Sequence, residues 1–257
     1  MGQKKALLID MSLCVGCNAC QEGCKTENKL APGEEKKLSP TAFTALSEHG
    51  GVFVRHLCQH CEVPTCASVC PVAAFTKTPE GPVTYDAAKC IGCRYCLQAC
   101  PFQIPSYEWK STKPRVQKCI FCAPRLAKGL QPACAEACVY GATKFGNRDE
   151  LLREAADRIS AEPSKYTHKI YGRDDVGGTS VFYLSPVPFE QLGFDTKLGD
   201  TPMPLLTMRA LSKVPDVVGV GSVMLTGIWW ITRRRSEVQQ FEGSLKQDAT
   251  IQKQDKK

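Results

Sequence analysis

The sequence lacks the residue patterns that an independent enzyme would need. It contains no glycine-rich nucleotide-binding loop, no catalytic-triad pattern and no segment that stands out as a substrate site. Aromatic residues make up only 8% of the 257 residues, and they are not interleaved with basic residues as in RNA- or DNA-binding surfaces. These absences argue against catalysis by the chain alone and against nucleic acid as a partner.

The amino terminus lacks the features of an export or lipidation signal. The segment MGQKKALLID has no long apolar run, no small-residue cleavage site and no twin arginine. Position 6 is Ala6 rather than Ser or Thr, which excludes a myristoylation motif. We therefore expect a partner to carry any export signal, and we predict that residues 6–9 form a short buried strand.

Cysteine, in contrast, is abundant and ordered. The 16 cysteines fall into four groups of four, with none left over. The first and third groups have the spacing C-x2-C-x2-C-x3-C, in which bacterial ferredoxins bind one [4Fe–4S] cluster with three thiolates and a neighbouring cluster with the fourth. The second group lengthens one gap to four residues, and the fourth stretches its middle gap to eleven. The groups are Cys14, Cys17, Cys20, Cys24; Cys58, Cys61, Cys66, Cys70; Cys90, Cys93, Cys96, Cys100; and Cys119, Cys122, Cys134, Cys138.

Four such groups predict four [4Fe–4S] clusters, and hence an electron-transfer protein. Disulfides are disfavoured, because disulfide frameworks belong to small secreted domains and cysteines spaced this closely rarely bridge well. A zinc-binding structural protein would also use all the cysteines, but zinc sites usually set two C-x2-C pairs well apart. The repeated spacing excludes inert buried thiols.

The first and third groups also resemble each other outside their cysteines. Asp10 and Asp86 stand four residues before the first cysteine of each group, and Gly16 and Gly92 occupy the same slot within it. A loop that turns four ligands onto one cluster needs a positive φ, which glycine permits. The repetition therefore predicts the same loop conformation in both groups.

The formal net charge of +7 treats every cysteine as neutral. An oxidised cluster held by four thiolates adds about −2, so four clusters add about −8 and leave the loaded chain close to neutral. We therefore predict that basic residues beside the groups compensate cluster charge rather than bind nucleic acid. These residues are Lys25, Arg94 and Lys118.

The rest of the chain gives a coarse secondary-structure pattern. Residues 30–50 are predicted to be a polar insertion, and residues 51–57 a strand that enters the second group. Apolar residues recur at helical spacing over 149–160, with Asn147 as the N-cap. Residues 181–184 are predicted to form a strand, and the proline-rich segment 185–208 an extended arm or a linker.

A nineteen-residue apolar segment, VPDVVGVGSVMLTGIWWIT, covers residues 214–232. It would span roughly 28 Å as a helix, which is enough for a bilayer core. Because it is apolar all round, an amphipathic surface helix fits poorly, and a buried core helix is the alternative. Two tryptophans near its end and three following arginines are typical of a membrane interface. The arginines favour a cytoplasmic carboxyl terminus, with the cluster domain on the periplasmic side of the inner membrane.

Three motifs resemble one known family. CQHCEVPTCASVCP (58–71), KCIGCRYCLQACPF (89–102) and KCIFC (118–122) resemble the iron–sulfur (beta) subunits of the dimethyl-sulfoxide-reductase type. These include the beta subunits of membrane-bound formate dehydrogenases and the ferredoxin-like subunits of uptake [NiFe] hydrogenases. The resemblance implies an α+β fold of two nested bacterial-ferredoxin-like units with four [4Fe–4S] clusters, plus one C-terminal transmembrane helix.

The resemblance also implies a role and partners. The chain would relay electrons from a catalytic subunit to a membrane cytochrome b and quinone. VPFEQLGF (187–194) resembles the hydrogenase branch, whereas the missing export signal resembles the formate dehydrogenase branch. We expect the molybdenum or tungsten (molybdopterin) formate dehydrogenase alpha subunit as partner. The alternatives are the large subunit of a [NiFe] hydrogenase and another molybdopterin oxidoreductase.

In the nested arrangement that the resemblance implies, the first group shares clusters with the fourth, and the second with the third. His60 would either donate a hydrogen bond to a cluster sulfur or be a packed imidazole. The predicted domains are a four-cluster domain (1–145, with an inner unit at about 51–110), a helix, strand and arm (146–212), a transmembrane helix (213–235) and a polar cytoplasmic tail (236–257). The implied ligand sets are Cys14, Cys17, Cys20, Cys138 (first); Cys24, Cys119, Cys122, Cys134 (second); Cys58, Cys61, Cys66, Cys100 (third); and Cys70, Cys90, Cys93, Cys96 (fourth).

Overall fold

The computed structural model describes residues 3–254, with side chains up to residue 245. The chain divides into two compact units, of which the first ends at Leu205 and the second begins at Leu206. The described strands are β1 (Lys5–Asp10), β2 (Thr44–His49), β3 (Val52–Leu57), β4 (Phe75–Lys77), β5 (Val83–Tyr85), β6 (Ser106–Tyr107), β7 (Val116–Gln117), β8 (Thr143–Asn147) and β9 (Val181–Leu184). The described α-helices are α1 (Ala19–Glu27), α2 (Thr65–Ser68), α3 (Tyr95–Ala99), α4 (Ala123–Leu126), α5 (Ala133–Glu136), α6 (Arg148–Ala161), α7 (Met203–Leu211) and α8 (Val214–Gln254).

The central sheet of the first unit has the strand order β8-β1-β9, with β8 antiparallel and β9 parallel to β1. Leu7 and Ile9 pack into one core, and Ala6 and Leu8 pack into another on the opposite face. Because both faces of β1 are covered, its apolar run is uninterrupted rather than alternating. The predicted strands at 6–9 and 181–184 are confirmed.

Helix α6 covers the second of these cores. Leu151 and Ala155, one turn apart, are buried beside Ala6 and Leu8, as the helical spacing predicted. Asn147 occupies the N-cap position, but its side chain donates to Glu150 Oε1 at 2.9 Å rather than accepting from the backbone. The predicted helix is therefore confirmed, whereas the capping contact differs.

Strands β2 and β3 form a hairpin, paired from Thr44 with Leu57 to His49 with Val52. Gly50 and Gly51 form its turn, both with positive φ, as a two-residue hairpin loop of the primed type requires. The predicted strand at 51–57 is confirmed. The interpretation of 30–50 as an insertion was incomplete, because its last residues form β2, which is buried at its first half against β3 and the core.

The short helices bring distant cysteine groups together. Helix α1 carries Cys20 and Cys24 and packs against α5, which carries Cys134. Helix α2, with Cys66, packs in the same way against α3, with Cys96. The first group thus meets the fourth, and the second meets the third.

The segment after β9 departs from the prediction of an extended arm. Phe189 and Leu192, on a 3-10 turn, are buried in the main core, and helix α7 begins at Met203. The wrong interpretation came from the prolines, which end regular structure without preventing burial. Helix α8 continues past the predicted end at residue 232, because the arginines, glutamates, glutamines and lysines that follow are good helix formers.

Candidate metal centres

The loops that carry the cysteines share one backbone feature. In every group, the residue before the second cysteine has a positive φ: Gly16 +71°, His60 +49°, Gly92 +71° and Phe121 +62°. The predicted conformation at the two glycines is confirmed. Histidine and phenylalanine rarely adopt it, so tertiary packing must hold them. The rings of His60 and Phe121 pack edge to face with centroids 4.7 Å apart, both fully buried.

Backbone N–H groups in these loops donate to cysteine sulfurs. The donors are Ala74 N to Cys70 Sγ (3.2 Å), Phe121 N to Cys119 Sγ (3.3 Å) and Thr143 N to Cys138 Sγ (3.3 Å). Such hydrogen bonds favour the negatively charged thiolate. The loops are therefore built around sulfur ligands that carry charge.

Two of the four predicted ligand sets each surround a small cavity. Cys138 comes from the fourth group, yet it lines a cavity together with the first three cysteines of the first group. Cys24, the last cysteine of the first group, lines the other cavity with members of the fourth group. The cavity cysteines are Cys14, Cys17, Cys20 and Cys138 in the first case, and Cys24, Cys119, Cys122 and Cys134 in the second.

The cysteines of the third and fourth sets are neighbours as well. Burial, followed by three nearby thiolates, raises the pKa of Cys61, and the same two causes raise the pKa of Cys96 to about 12. The thiolates that act on Cys61 are Cys58, Cys100 and Cys66. Those that act on Cys96 are Cys93, Cys90 and Cys70. Each neighbourhood contains the members of one predicted set, so the structure brings together the residues of all four.

Cysteines of neighbouring sets lie close enough to affect one another's pKa, and these pairs order the sets from the first through the second and third to the fourth. At least one pair of cysteines links each set to the next. In each pair below, burial and the negative charge of the second cysteine raise the pKa of the first. The pairs are Cys20 with Cys134, Cys119 with Cys58, and Cys66 with Cys96. Three of the four cysteines of the second set are buried, against one in each of the other three sets, and Cys17 of the first set is exposed.

The spacing of the cysteines fits a four-iron cluster better than zinc. Among the described side chains, which end at residue 245, no three of His, Cys, Asp or Glu lie close enough together to hold a single metal ion. A zinc ion would need four sulfurs at about 2.3 Å from one point. Ligands to the corner irons of a cluster need not meet at one point, and the four cysteines around each of the two cavities satisfy this looser requirement.

Arg55, on β3, was missed by the reasoning from sequence. Only 2% of it is exposed, and its guanidinium donates to Thr44 Oγ1 at 2.9 Å and to Thr143 Oγ1 at 2.8 Å. Although burial acts in the opposite direction, the thiolates of Cys134 and Cys20 raise the pKa of Arg55. The only signal in the sequence is a charge inside the strand VFVRHL, where an outward-facing residue is the ordinary interpretation.

The three predicted charge-compensating residues have different surroundings. Lys118 is buried, and its ammonium donates to two backbone carbonyl oxygens at 2.6 and 2.8 Å. Lys25 is also buried, but it pairs with Glu35 at 3.1 Å, so its charge already has a partner. Arg94 lies over the ring of Trp109 at 5.4 Å. Of the three, Lys118 matches the prediction best.

His60 is fully buried. Its Nδ1 accepts a hydrogen bond from the Val83 N–H at 2.9 Å, so Nε2 carries the hydrogen, and Nε2 has no partner among the described residues. Burial, and then the charges of Lys118 and Lys77, lower the pKa of His60 well below its ordinary value. The neutral ring thus holds a free N–H donor beside Cys61, and a hydrogen bond to sulfur stays a prediction.

Both ends of the row carry exposed apolar side chains. At the first set these are Val15, Val139 and Tyr140, and at the fourth set they are Ile91, Tyr95 and Trp109. Contiguous exposed apolar patches mark interaction surfaces, so these two groups of residues are the first places to test for one.

As far as the structure describes it, the second unit consists of the end of α7 and helix α8. Residues 203–245 are long and apolar enough to cross a membrane, with a mean hydropathy of 1.5 over an 18-residue window in which no residue is buried. Val223, Leu225 and Trp230 are among its exposed apolar side chains. By length and composition, this is the candidate transmembrane helix that the sequence predicted.

Comparisons with known proteins agree with the cysteine chemistry. The family described as "4Fe-4S dicluster domain" matches residues 50–148. The protein is 33% identical over 288 residues to the "Hydrogenase-2 operon protein HybA" of Escherichia coli O157:H7, covering 92% of its own length and 86% of the relative. It is 34% identical over 199 residues to the "Formate dehydrogenase, nitrate-inducible, iron-sulfur subunit" of E. coli K12, covering 70% and 67%. It is 36% identical over 177 residues to a component of the anaerobic dimethyl sulfoxide reductase of E. coli K12, covering 65% and 85%.

Proposed function

The chain belongs to the family of iron–sulfur (beta) subunits of the dimethyl-sulfoxide-reductase type, and from that premise we propose that it holds four [4Fe–4S] clusters in one row. Membership makes it an electron-transfer subunit of an oxidoreductase complex. When bound, each cluster supplies a one-electron redox centre. The residues of this chain hold these centres in order and bury the second one most deeply.

The ligands of each cluster are the four sets defined above. The observation that carries this assignment is the pair of cavities, each lined by one complete set drawn from groups more than 90 residues apart in sequence. Residues 1–145 would form two nested ferredoxin-like units, with the inner unit at about 51–110. Residues 146–212 would follow as a segment that carries α6 and β9.

Iron and acid-labile sulfide analysis of the purified protein tests the number of clusters. Four clusters require about sixteen of each per chain. Bound zinc, or only a few irons, would contradict the proposal.

A matched pair of variants tests the nesting. Cys138→Ala should damage the cluster of the first set, whereas Cys134→Ala, four residues away, should damage that of the second. Resolved EPR signals identify the missing cluster in each variant. Loss of the same cluster in both variants would mean that the two cysteines belong to one set, and the nested arrangement would be wrong.

The ends of the row are the proposed contact points for partners. The exposed residues around Val15 and Tyr140 at one end, and around Ile91 and Trp109 at the other, support docking of one partner at each. One partner would be the catalytic subunit and the other a membrane cytochrome b that reduces quinone.

Two catalytic partners are candidates, namely a molybdenum or tungsten formate dehydrogenase alpha subunit and a [NiFe] hydrogenase large subunit. The sequence features described above do not all favour the same partner. The similarity to HybA extends over 92% of this chain, against 70% for the formate dehydrogenase subunit, and this favours the hydrogenase branch. Co-purification of the complex decides: molybdenum or tungsten with a pterin indicates formate or a related substrate, and nickel indicates hydrogen.

The apolar helix is the proposed membrane anchor. Residues 213–235 would cross the inner membrane once, with the tail 236–257 in the cytoplasm and the cluster domain in the periplasm. Truncation before Val214 should leave the iron content unchanged and release the complex from membranes, because all ligands precede the helix. Protease added to intact spheroplasts should cut the cluster domain, and full protection would overturn the orientation.

A further inference from the structure

Arg55 is the one buried arginine in the part of the chain that the structure describes. The groups that face its guanidinium there are threonine hydroxyls, cysteines and the phenol of Tyr183, with no carboxylate among them. An isolated buried charge is very costly unless an opposite charge compensates it. Two neutral hydroxyls do not supply that charge, so an anion must lie close by.

The position of Arg55 identifies the anion. Its side chain lines the cavity of the first ligand set and also that of the second. Thr44 on β2 and Thr143 on β8 bind Nε and Nη1 and so fix the plane of the guanidinium, while the buried Nη2 has no hydrogen-bond partner among the described residues. The guanidinium therefore lies between two cavities lined by cysteines, and Cys134 is close enough to favour its charged form.

We infer that Arg55 is the shared counter-ion of the first and second clusters and raises the reduction potentials of both. This inference rests on the proposed cluster assignment. Each oxidised cluster with its thiolates carries about −2, and reduction adds one more negative charge, which a fixed cation beside it favours. Because one charge acts on both sites, it raises the two potentials together. Arginine stays protonated, so an electron that leaves one cluster and arrives on the other moves no proton through this residue.

Arg55→Gln removes the charge and keeps a polar side chain for the two threonines. EPR-monitored redox titration of the purified full-length protein should show lower midpoint potentials for the first and second clusters, with the third and fourth unchanged. At a fixed solution potential, the reduced-to-oxidised ratio of the two clusters should fall about tenfold, which corresponds to about 59 mV for a one-electron couple. Lys165→Gln makes the same change in net charge at an exposed site and should shift none of the four.

Two further variants separate charge from shape. Arg55→Lys keeps the charge and should retain full iron content, with potentials near those of the wild type. The double variant Thr44→Val, Thr143→Val keeps the charge but releases the guanidinium, and it should shift both potentials in the same direction as Arg55→Gln by a smaller amount. These variants keep the test open if Arg55→Gln assembles no clusters.

The inference is overturned if Arg55→Gln shifts no potential, shifts only one of the two, or shifts all four equally. Loss of clusters in Arg55→Lys would also overturn it, because shape rather than charge would then be required. A wild-type protein with fewer than four clusters would contradict the proposed function instead, and iron analysis of the wild type detects that case separately.

Discussion

Replacing Gly16 with alanine tests how tightly the first cluster loop is held. Gly16 has a φ of +71°, and an added Cβ would lie 2.4 Å from Cε1 of Phe53. Phe53 packs against the main core, so its ring cannot move without disturbing other residues. The left-handed conformation costs a non-glycine residue about 1–2 kcal/mol. Overpacking adds about 1–3 kcal/mol.

Gly129→Ala is the matched control. Gly129 has nearly the same φ, +74°, but an added Cβ there would meet no heavy atom within 4 Å. Its cost is therefore the conformational part alone, about 1–2 kcal/mol. The two variants should differ by about 1–3 kcal/mol, because only Gly16→Ala forces the aromatic ring to move.

The assay is anaerobic thermal unfolding of the loaded protein, followed by circular dichroism and by iron content. For a unit of this size, 1 kcal/mol lowers the apparent Tm by about 2–4 °C. Gly16→Ala should therefore melt roughly 2–12 °C below Gly129→Ala and should lose the first cluster before the others. Adding Phe53→Leu to Gly16→Ala should recover the overpacking part. Equal melting temperatures for the two glycine variants, or no recovery in the double variant, would refute the reasoning.

Other buried groups lead to three more tests. His60→Phe removes the Nε2–H and should lower the midpoint potential of the third cluster. Phe121→Leu removes only the stacking partner and should leave that potential unchanged. EPR-monitored redox titration compares the two variants, and equal potentials would contradict a hydrogen bond to sulfur. Arg158→Met leaves the carboxylate of Asp10, which is 1% exposed, without its cation. The loss of stability should approach about 3–5 kcal/mol, the cost of breaking a buried pair. Lys165→Met, at an exposed pair, should not measurably change the Tm. Burial and the charge of His49 lower the pKa of His56 below 6.5. The unfolded chain therefore binds the proton more readily, and the stability of the fold should decrease as the pH drops below about 6.5. His56→Gln should weaken this loss of stability between about pH 7.5 and 5.5, and an identical pH profile would exclude His56 as the cause.

Cysteine spacing and the local residue pattern determined much of this protein by themselves. The spacing predicts four groups of cluster ligands, because ligands close in sequence must be presented by one tight loop. The slot of Gly16 and Gly92 requires a positive φ, and the sequence predicted it because glycine adopts that conformation without strain. The strand at residues 6–9, helix α6 and the apolar stretch of α8 follow from patterns that burial or lipid imposes on neighbouring residues.

Other features depend on contacts between residues far apart in the chain. His60 and Phe121 share the loop conformation of the two glycines without glycine's freedom, and tertiary contacts, including the packing of the two rings against each other, hold them there. The strand β2 forms from a polar-looking insertion because β3 offers it a partner.

Tertiary structure also decides which distant cysteines lie close together. Spacing within a group cannot say which distant cysteine completes it; the family resemblance implied the pairing, and the docking of α1 on α5 and of α2 on α3 brings the same cysteines together. Arg55 shows this limit most clearly. One arginine in a strand has no sequence signature of burial, and only the folded chain encloses its charge between two groups of thiolates, where a buried cation finds the negative charge that it needs.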